Sequence, residues 1–108
     1  MNPKLCAAVR FVEDNLHRDM YVDEVAQFVG LSRSRFCHLF KSEVGMPFNQ
    51  YLKKRRMEKA CRLLVTSFNA VKLVAYEVGY NDPTYFERDF KKVNGLTPSQ
   101  YRANSLHS

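Results

Sequence analysis

The sequence predicts an all-α fold in which two copies of a short helical unit are joined by a long linker helix, about seven helices in all. The first observation is a repeat: Val, Val, Ala, Val and Gly recur at an offset of 49 between segments 22–30 and 71–79. Farther along, Phe, Lys, Gly, Gln and Tyr recur at an offset of 50. The second observation is that apolar residues recur at helical spacing, whereas no segment alternates in the manner of a strand. A repeat of this length indicates two copies of one supersecondary unit.

The first copy contains three predicted helices. Apolar residues at helical spacing predict the first helix from Pro3 to His17. A short second helix from Val22 to Val29 has acidic residues in its first turn, where negative charge is favourable. The third helix begins after Ser32, a good N-cap, and ends at Gly45.

A long fourth helix is predicted from Pro47 to about Val65. Its apolar stripe consists of Phe48, Leu52, Met57, Ala60, Leu63 and Leu64. This helix joins the two copies of the repeat.

The second copy repeats the pattern of the first. Helix five is predicted from Ala70 to Val78, with Asn69 as its cap. Asp82 is the expected cap of helix six, which ends at Gly95, and a short seventh helix begins at Thr97. Each copy is thus a short helix, a tight turn that contains Gly, and a second helix, which is the helix-turn-helix arrangement.

The same landmarks predict the domain organisation. An N-terminal helix-turn-helix subdomain spans residues 1–46, a linker helix spans 47–66, and a C-terminal helix-turn-helix subdomain spans 67–108. Two residues lie between helix two and the Ser32 cap, whereas three precede the Asp82 cap. The shift from an offset of 49 to one of 50 is therefore one extra turn residue.

Charge and cysteine content narrow the class of protein. The chain has 17 Lys and Arg against 11 Asp and Glu, a net charge of +6, which favours nucleic acid or an anionic membrane surface as partner. Three widely separated cysteines without a nearby histidine pair indicate reduced, space-filling residues, so neither a metal nor a cofactor is expected. With no signal-peptide or transmembrane pattern, we expect a cytoplasmic protein without a membrane partner.

The second helix of each copy presents one face outward. At about 100° per residue, Ser34 and His38 lie opposite the buried Phe36 side of helix three. Adding 50 gives Thr84 and Arg88, and Arg88 could pair bidentately with guanine. Such positions are ordinarily just solvated, but polar residues followed by cations in both copies favour contact with DNA. The base-reading candidates are Ser34, His38, Thr84 and Arg88, and the DNA-backbone candidates are Arg33, Arg35, Lys41, Lys91 and Lys92.

The linker helix predicts how the two outward faces are used. A helix of about 19 residues at ~1.5 Å per residue is roughly 28 Å long. One turn of B-DNA is ~34 Å, which separates successive major grooves on one face. We therefore expect one chain, acting as a monomer on double-stranded DNA, to place its two recognition helices in adjacent major grooves and to read an asymmetric site.

The chain resembles the DNA-binding domain of the AraC/XylS family of bacterial transcription regulators over nearly its whole length. The most specific match is AYEVGYNDPTYFERDFKKVNGLTPSQYR, from Ala75 to Arg102, and VAQFVGLSRSRFCHLFKSEVGMPFNQYL fits the preceding region. The resemblance implies sequence-specific transcription regulation, with RNA polymerase and an effector domain of a longer parent chain as further candidate partners. It implies a nucleoid location when DNA is bound. The readers that it implies are Ser34, Cys37, His38, Pro83, Thr84, Glu87 and Arg88.

The sequence also bears on two other classes of function. An enzyme is not expected, because the sequence has no Gly-rich phosphate loop, no metal-ligand spacing and no set of nucleophile, base and orienting residue. A helical protein-interaction module that does not bind DNA is the stronger alternative. Such a module needs no basic outward line on both second helices, so the placement of charge favours DNA binding.

Overall fold

The computed structural model describes residues 1–106, so the last two residues of the predicted C-terminal subdomain lie outside the described part. Within residues 1–106 it contains seven α-helices and no strand, which confirms the predicted all-α class. The helices are α1 (Pro3–Asp14), α2 (Val22–Phe28), α3 (Arg33–Val44), α4 (Phe48–Thr66), α5 (Val71–Glu77), α6 (Pro83–Asn94) and α7 (Pro98–Leu106).

The predicted end of the first helix was wrong by three residues. The first helix ends at Asp14 rather than His17, because Asn15 leaves helical geometry and its side-chain amide donates to the Phe11 carbonyl at 2.8 Å. Arg18 Nε in turn donates to Asn15 Oδ1 at 3.0 Å, which holds the chain in its new direction. Leu16 is nevertheless buried, since the turn that follows α1 folds back onto the same core.

The N-cap of α5 is Ala70 and not Asn69 as predicted. The side chain of Ala70 makes no capping hydrogen bond. The Asn69 side-chain amide instead donates to Glu77 Oε1 at 3.3 Å, at the other end of the same short helix. The Asn69 side chain is thus bonded to a side chain of the same helix instead of capping it.

The first compact unit comprises Met1–Arg55. Its core includes α1, α2, α3 and the first turns of α4, and the rings of Phe36, Phe40 and Phe48 lie at its centre. The Phe40 and Phe48 centroids are 5.4 Å apart in an edge arrangement, a favoured geometry for aromatic pairs. Arg55 of α4 forms an ion pair with Glu13 of α1 within this unit.

The second compact unit begins at Arg56. Its core is formed by the later turns of α4 together with α5 and α6, and the ring of Phe90 contacts that of Tyr101 on α7 at 5.6 Å. The Arg102 guanidinium donates to the backbone carbonyls of Leu64 and Asn69, at 2.8 and 2.7 Å. The end of α4 and the connection to α5 are therefore held by α7.

The turns of the two units have the same backbone geometry. Gly30 and Gly79 have positive φ, 74° and 89°, a conformation that side chains rarely adopt. The next residue donates back to the preceding helix in both copies, Leu31 to the Ala26 carbonyl at 2.9 Å and Tyr80 to the Ala75 carbonyl at 3.0 Å. Leu31 and Tyr80 are therefore equivalent, and the extra turn residue of the second copy is Asn81.

Candidate nucleic-acid interface

The second helix of each unit is capped by a side chain, which fixes where its outward face begins. Ser32 Oγ accepts a hydrogen bond from the Arg35 amide at 3.2 Å at the start of α3. At the start of α6, Asp82 Oδ1 accepts from the Thr84 amide at 2.9 Å, and Pro83 is the first helical residue. Both caps were predicted, and both helices end at a glycine of positive φ.

All nine candidate DNA-contacting residues are exposed. The opposite faces of the same helices bury phenylalanines completely, Phe36 and Phe40 on α3 and Phe86 and Phe90 on α6. The exposed set consists of Arg33, Ser34, Arg35, His38, Lys41, Thr84, Arg88, Lys91 and Lys92. Each helix therefore presents a polar and cationic surface, and side chains of this kind can donate to base edges and phosphates.

His38 lies between two shallow depressions on α3. One, of about 400 Å³, is lined by Cys37, His38, Lys41 and Ser42. The other, of about 330 Å³, is lined by Arg35, His38, Leu39 and Ser42. His38 and Ser42 thus line both depressions, one of which also contains Lys41 and the other Arg35.

Arg33 already has an acidic neighbour in the first unit. Its guanidinium lies 3.5 Å from Asp23 Oδ2 of α2, and both side chains are about two-thirds exposed, 67% and 66%. An exposed ion pair of this kind stabilises a fold by little, so a phosphate can displace the carboxylate. Arg35, by contrast, takes part in none of the ion pairs found in residues 1–106.

On α6 the side chain of Arg88 lies on an aromatic ring. Its guanidinium carbon is 4.6 Å from the centroid of Tyr85, which is half exposed. Tyr85 was not among the predicted site residues. An Arg three residues after a Tyr on a helix is the signal that could have found it, because positions i and i+3 are neighbours on a helix surface.

A second tyrosine, Tyr80, packs against the buried side of α6. Tyr80 packs edge-on against Phe86 at 5.3 Å, and its hydroxyl donates to Asp89 Oδ2 at 3.0 Å. Burial, together with this hydrogen bond to a carboxylate, raises the pKa of Tyr80 far above its usual value. The phenol therefore remains a proton donor at any physiological pH.

Three residues implied as readers by the family resemblance have less suitable positions or chemistry. Cys37 is half-buried and packs against the first core, and Pro83 is half-buried at the first position of α6. Glu87 is exposed, but its carboxylate would repel phosphates. We therefore keep Ser34 and His38, with Thr84 and Arg88, as the reading candidates.

Residues 1–106 contain no group of His, Cys, Asp and Glu side chains that could hold a metal ion. No helix in that range is both long and apolar enough to span a membrane.

Comparison with known proteins identifies the family. A family model described as a helix-turn-helix domain matches residues 25–104. The chain is 36% identical over 105 residues to the arabinose operon regulatory protein of Salmonella typhimurium, covering 95% of this chain and 37% of that protein. It is 37% identical over 92 residues to the MmsAB operon regulatory protein of Pseudomonas aeruginosa, covering 85% and 30%. The chain thus spans about a third of the length of these relatives, 37% of one and 30% of the other.

Solved structures agree with this relationship. The C-terminal domain of AraT, a response regulator from Geobacillus stearothermophilus, superposes with a TM-score of 0.91 at 33% identity, covering 95% of this chain and 86% of that one. The DNA-binding domain of AdpA, a global transcriptional factor solved in complex with a target DNA, gives a TM-score of 0.89 at 32% identity, covering 94% and 91%. The chain belongs to the AraC family of helix-turn-helix DNA-binding domains.

Proposed function

We propose that this chain is the sequence-specific, double-stranded DNA-binding part of a bacterial transcription regulator, with α3 and α6 as its two recognition helices. The observation that carries the proposal is the chemistry of the two exposed faces. Each has a short hydroxyl side chain near the helix start, Ser34 or Thr84, and a longer donor one turn later, His38 or Arg88. Cations follow in the last turn of each helix.

The relatives support the same function. The arabinose and MmsAB regulators are named for operons that they regulate, and the AdpA domain was solved with its target DNA. The capping of α3 and α6 also supports DNA binding, because a helix with a fixed first turn holds its N-terminal side chains in a defined direction. Such a protein would act in the bacterial cytoplasm and lie on the nucleoid when bound.

Two helices of unlike chemistry would read an asymmetric site. We propose that α3 and α6 enter adjacent major grooves, so that one chain recognises two clusters of base pairs about ten base pairs apart. RNA polymerase and an effector domain in a longer parent chain are further proposed partners, in keeping with the greater length of the relatives.

Binding to random duplex DNA at increasing salt tests the general function. We expect the logarithm of the binding constant to fall steeply with the logarithm of salt concentration, because several phosphates release their counterions. No binding at low salt would refute the proposal and favour a protein-interaction module instead.

Selection of bound sites from a random duplex pool tests the specific function. We expect an asymmetric site with two informative clusters separated by about one helical turn. A palindromic site would contradict the monomeric mode, because it would indicate that two chains bind with two-fold symmetry.

A further inference from the structure

Tyr85 lies against the side chain that we propose as the base reader of the second unit. The guanidinium carbon of Arg88 is 4.6 Å from the ring centroid of Tyr85. This distance is within the ~6 Å at which a cation over an aromatic face is attracted. Tyr85 is 50% exposed and Arg88 is exposed, so the pair lies on the surface of α6 and not in the core.

The position of the Tyr85 ring is limited by a second tyrosine. The ring centroid of Tyr80 lies 6.3 Å from that of Tyr85, with 35° between the ring planes. Tyr80 is held by its edge contact with the fully buried Phe86 and by the hydrogen bond to Asp89. The contacts therefore run from the core of the second unit, through two rings, to the guanidinium at the surface.

Stacking of this kind leaves Arg88 able to read a base. The N–H donors of a guanidinium lie in its plane, so an arginine that stacks with its flat face on a ring keeps these donors free. The donors therefore stay available for a bidentate pair with O6 and N7 of guanine. A side chain that is already held on a ring also loses less conformational freedom when that pair forms.

The equivalent positions on α3 of the first unit cannot form this stack, although the turn before α3 has the same backbone geometry. At the offsets of the repeat, Arg35 takes the place of Tyr85 and His38 takes the place of Arg88. Leu31 takes the place of Tyr80. The helix-turn-helix scaffold is therefore built without the two tyrosines in one copy, which argues that Tyr85 serves recognition rather than the fold.

We propose that Tyr85 is a positioning residue, which holds the Arg88 guanidinium for bidentate recognition and thereby sets the base specificity of the second unit. The inference rests on the DNA-binding function proposed above. Tyr85 acts through Arg88 in this scheme and makes no base contact of its own.

The stack can be tested first without DNA, by comparing the wild type with Tyr85→Leu and Tyr85→Phe. Side-chain protons of Arg88 that lie over an aromatic ring resonate upfield. We expect this upfield shift in the wild type and in Tyr85→Phe, and its loss in Tyr85→Leu with the remaining amide spectrum and Tm preserved. The absence of an upfield shift in the wild type would overturn the proposal.

The effect on recognition is tested on the site obtained by selection from a random pool. Discrimination at a base pair is measured as the ratio of the Kd values for the selected site and for its single-base variant. Arg88→Ala first identifies the base pair at which this ratio depends on Arg88. We expect Tyr85→Leu to lower this ratio roughly two- to fivefold, as loss of an exposed cation–aromatic contact would. Tyr85→Phe should leave the ratio unchanged, and so should Tyr85→Leu at the base pairs read by the first unit.

A double-mutant cycle separates positioning from direct contact. In an Arg88→Ala background, Tyr85→Leu should have no further effect on discrimination. An equal loss of affinity for every sequence, or the same loss in that background, would overturn the proposal, because Tyr85 would then contact DNA itself or support the fold.

The outcomes for the two proposals are distinct. If the wild type fails to bind random duplex DNA at low salt, the DNA-binding function fails and this inference fails with it. If the wild type selects a site but Arg88→Ala changes no base preference, or Tyr85→Leu keeps full discrimination at the Arg88 base pair, only the inference on Tyr85 fails.

Discussion

The two helix-turn-helix units share a backbone but differ in the chemistry of their exposed faces. Both turns have a glycine of positive φ followed by the same backbone hydrogen bond, and both second helices end at another such glycine. The exposed face of α3 has a histidine between two shallow depressions, whereas that of α6 has an arginine stacked on a tyrosine.

The difference shows which residues the repeat retains. Phe36 and Phe40 in the first unit correspond to Phe86 and Phe90 in the second, and all four are completely buried. The positions that differ, such as His38 and Arg88, are exposed. Packing therefore constrains one side of each helix and leaves the other side able to change without destabilising the core.

The largest expected effect tests the shared scaffold. Phe40→Ala and Phe90→Ala should each lower the free energy of unfolding by about 3–5 kcal/mol, because each removes a fully buried ring. Urea denaturation followed by circular dichroism measures the loss. Val93→Ala is the matched control on α6, since Val93 is 52% exposed and should change stability by only about 0.5 kcal/mol. A loss below about 1 kcal/mol for either phenylalanine would contradict the equivalence of the two cores.

The next effect separates the two readers. Arg88→Ala should cost about 1–3 kcal/mol of discrimination at one base pair of the selected site, and His38→Ala should relax preference only in the other cluster. Competition binding with single-base variants of the site measures both. Lys91→Ala is the control for general charge: it should weaken all sequences about equally and reduce the salt slope by about one. If Arg88→Ala relaxed the base preference in both clusters, the two units would not read their base pairs independently.

A smaller effect compares the caps. Ser32→Ala and Asp82→Ala should each cost about 1 kcal/mol of stability, because each leaves an amide of the first helical turn without its side-chain acceptor. Asp82→Asn keeps an acceptor oxygen and should retain most of the stability, which thermal unfolding would show. The same variant should bind random DNA more tightly, since it removes a negative charge from the proposed interface. If Asp82→Asn lost as much stability as Asp82→Ala, the side-chain oxygen at position 82 would not be acting as a cap.

The smallest effect concerns an ion pair of the first unit. A hydrogen bond from Arg18 at 2.7 Å lowers the pKa of Glu24 below its ordinary value, and Leu73 takes the equivalent place in the second unit. A carboxyl whose pKa is lowered by folding stabilises the fold above its unfolded pKa of about 4.3, and this contribution is lost as the pH falls through the folded pKa.

Glu24→Gln should therefore be slightly less stable than the wild type at pH 7, and the difference should shrink at an acidic pH below the unfolded pKa of about 4.3. Thermal unfolding of both proteins at the two pH values measures it. A difference that persists at the acidic pH would mean that the pair acts through packing rather than charge.

Much of the fold was predictable because local signals and burial agree. Ser32 and Asp82 occur as caps before apolar helical patterns, and the phenylalanines four residues apart define the buried side of α3 and α6. The same helical geometry predicted which side chains would be exposed, so the outward positions of Ser34 and Thr84 followed directly.

The remaining features depend on particular contacts between side chains, which helical periodicity does not specify. The first helix ends early because Arg18 bonds the side chain of Asn15, and Asn69 leaves its expected cap because Glu77 offers an acceptor. The Tyr80 contact with Tyr85 depends on how the turn folds against α6. A periodic pattern records which face of a helix is apolar, but not which side chains meet across a turn.

The contact between Arg102 and the α4–α5 connection has a consequence for the order of folding. Every buried residue of the first core precedes residue 53, so that core has all its parts when only half of the chain has been synthesised. The second core depends on Tyr101 and on the guanidinium of Arg102, which bonds the carbonyls of Leu64 and Asn69. Domains generally fold as units during synthesis, with the N-terminal one first. The first helix-turn-helix unit should therefore fold on the ribosome before α7, which the second unit needs, has been synthesised.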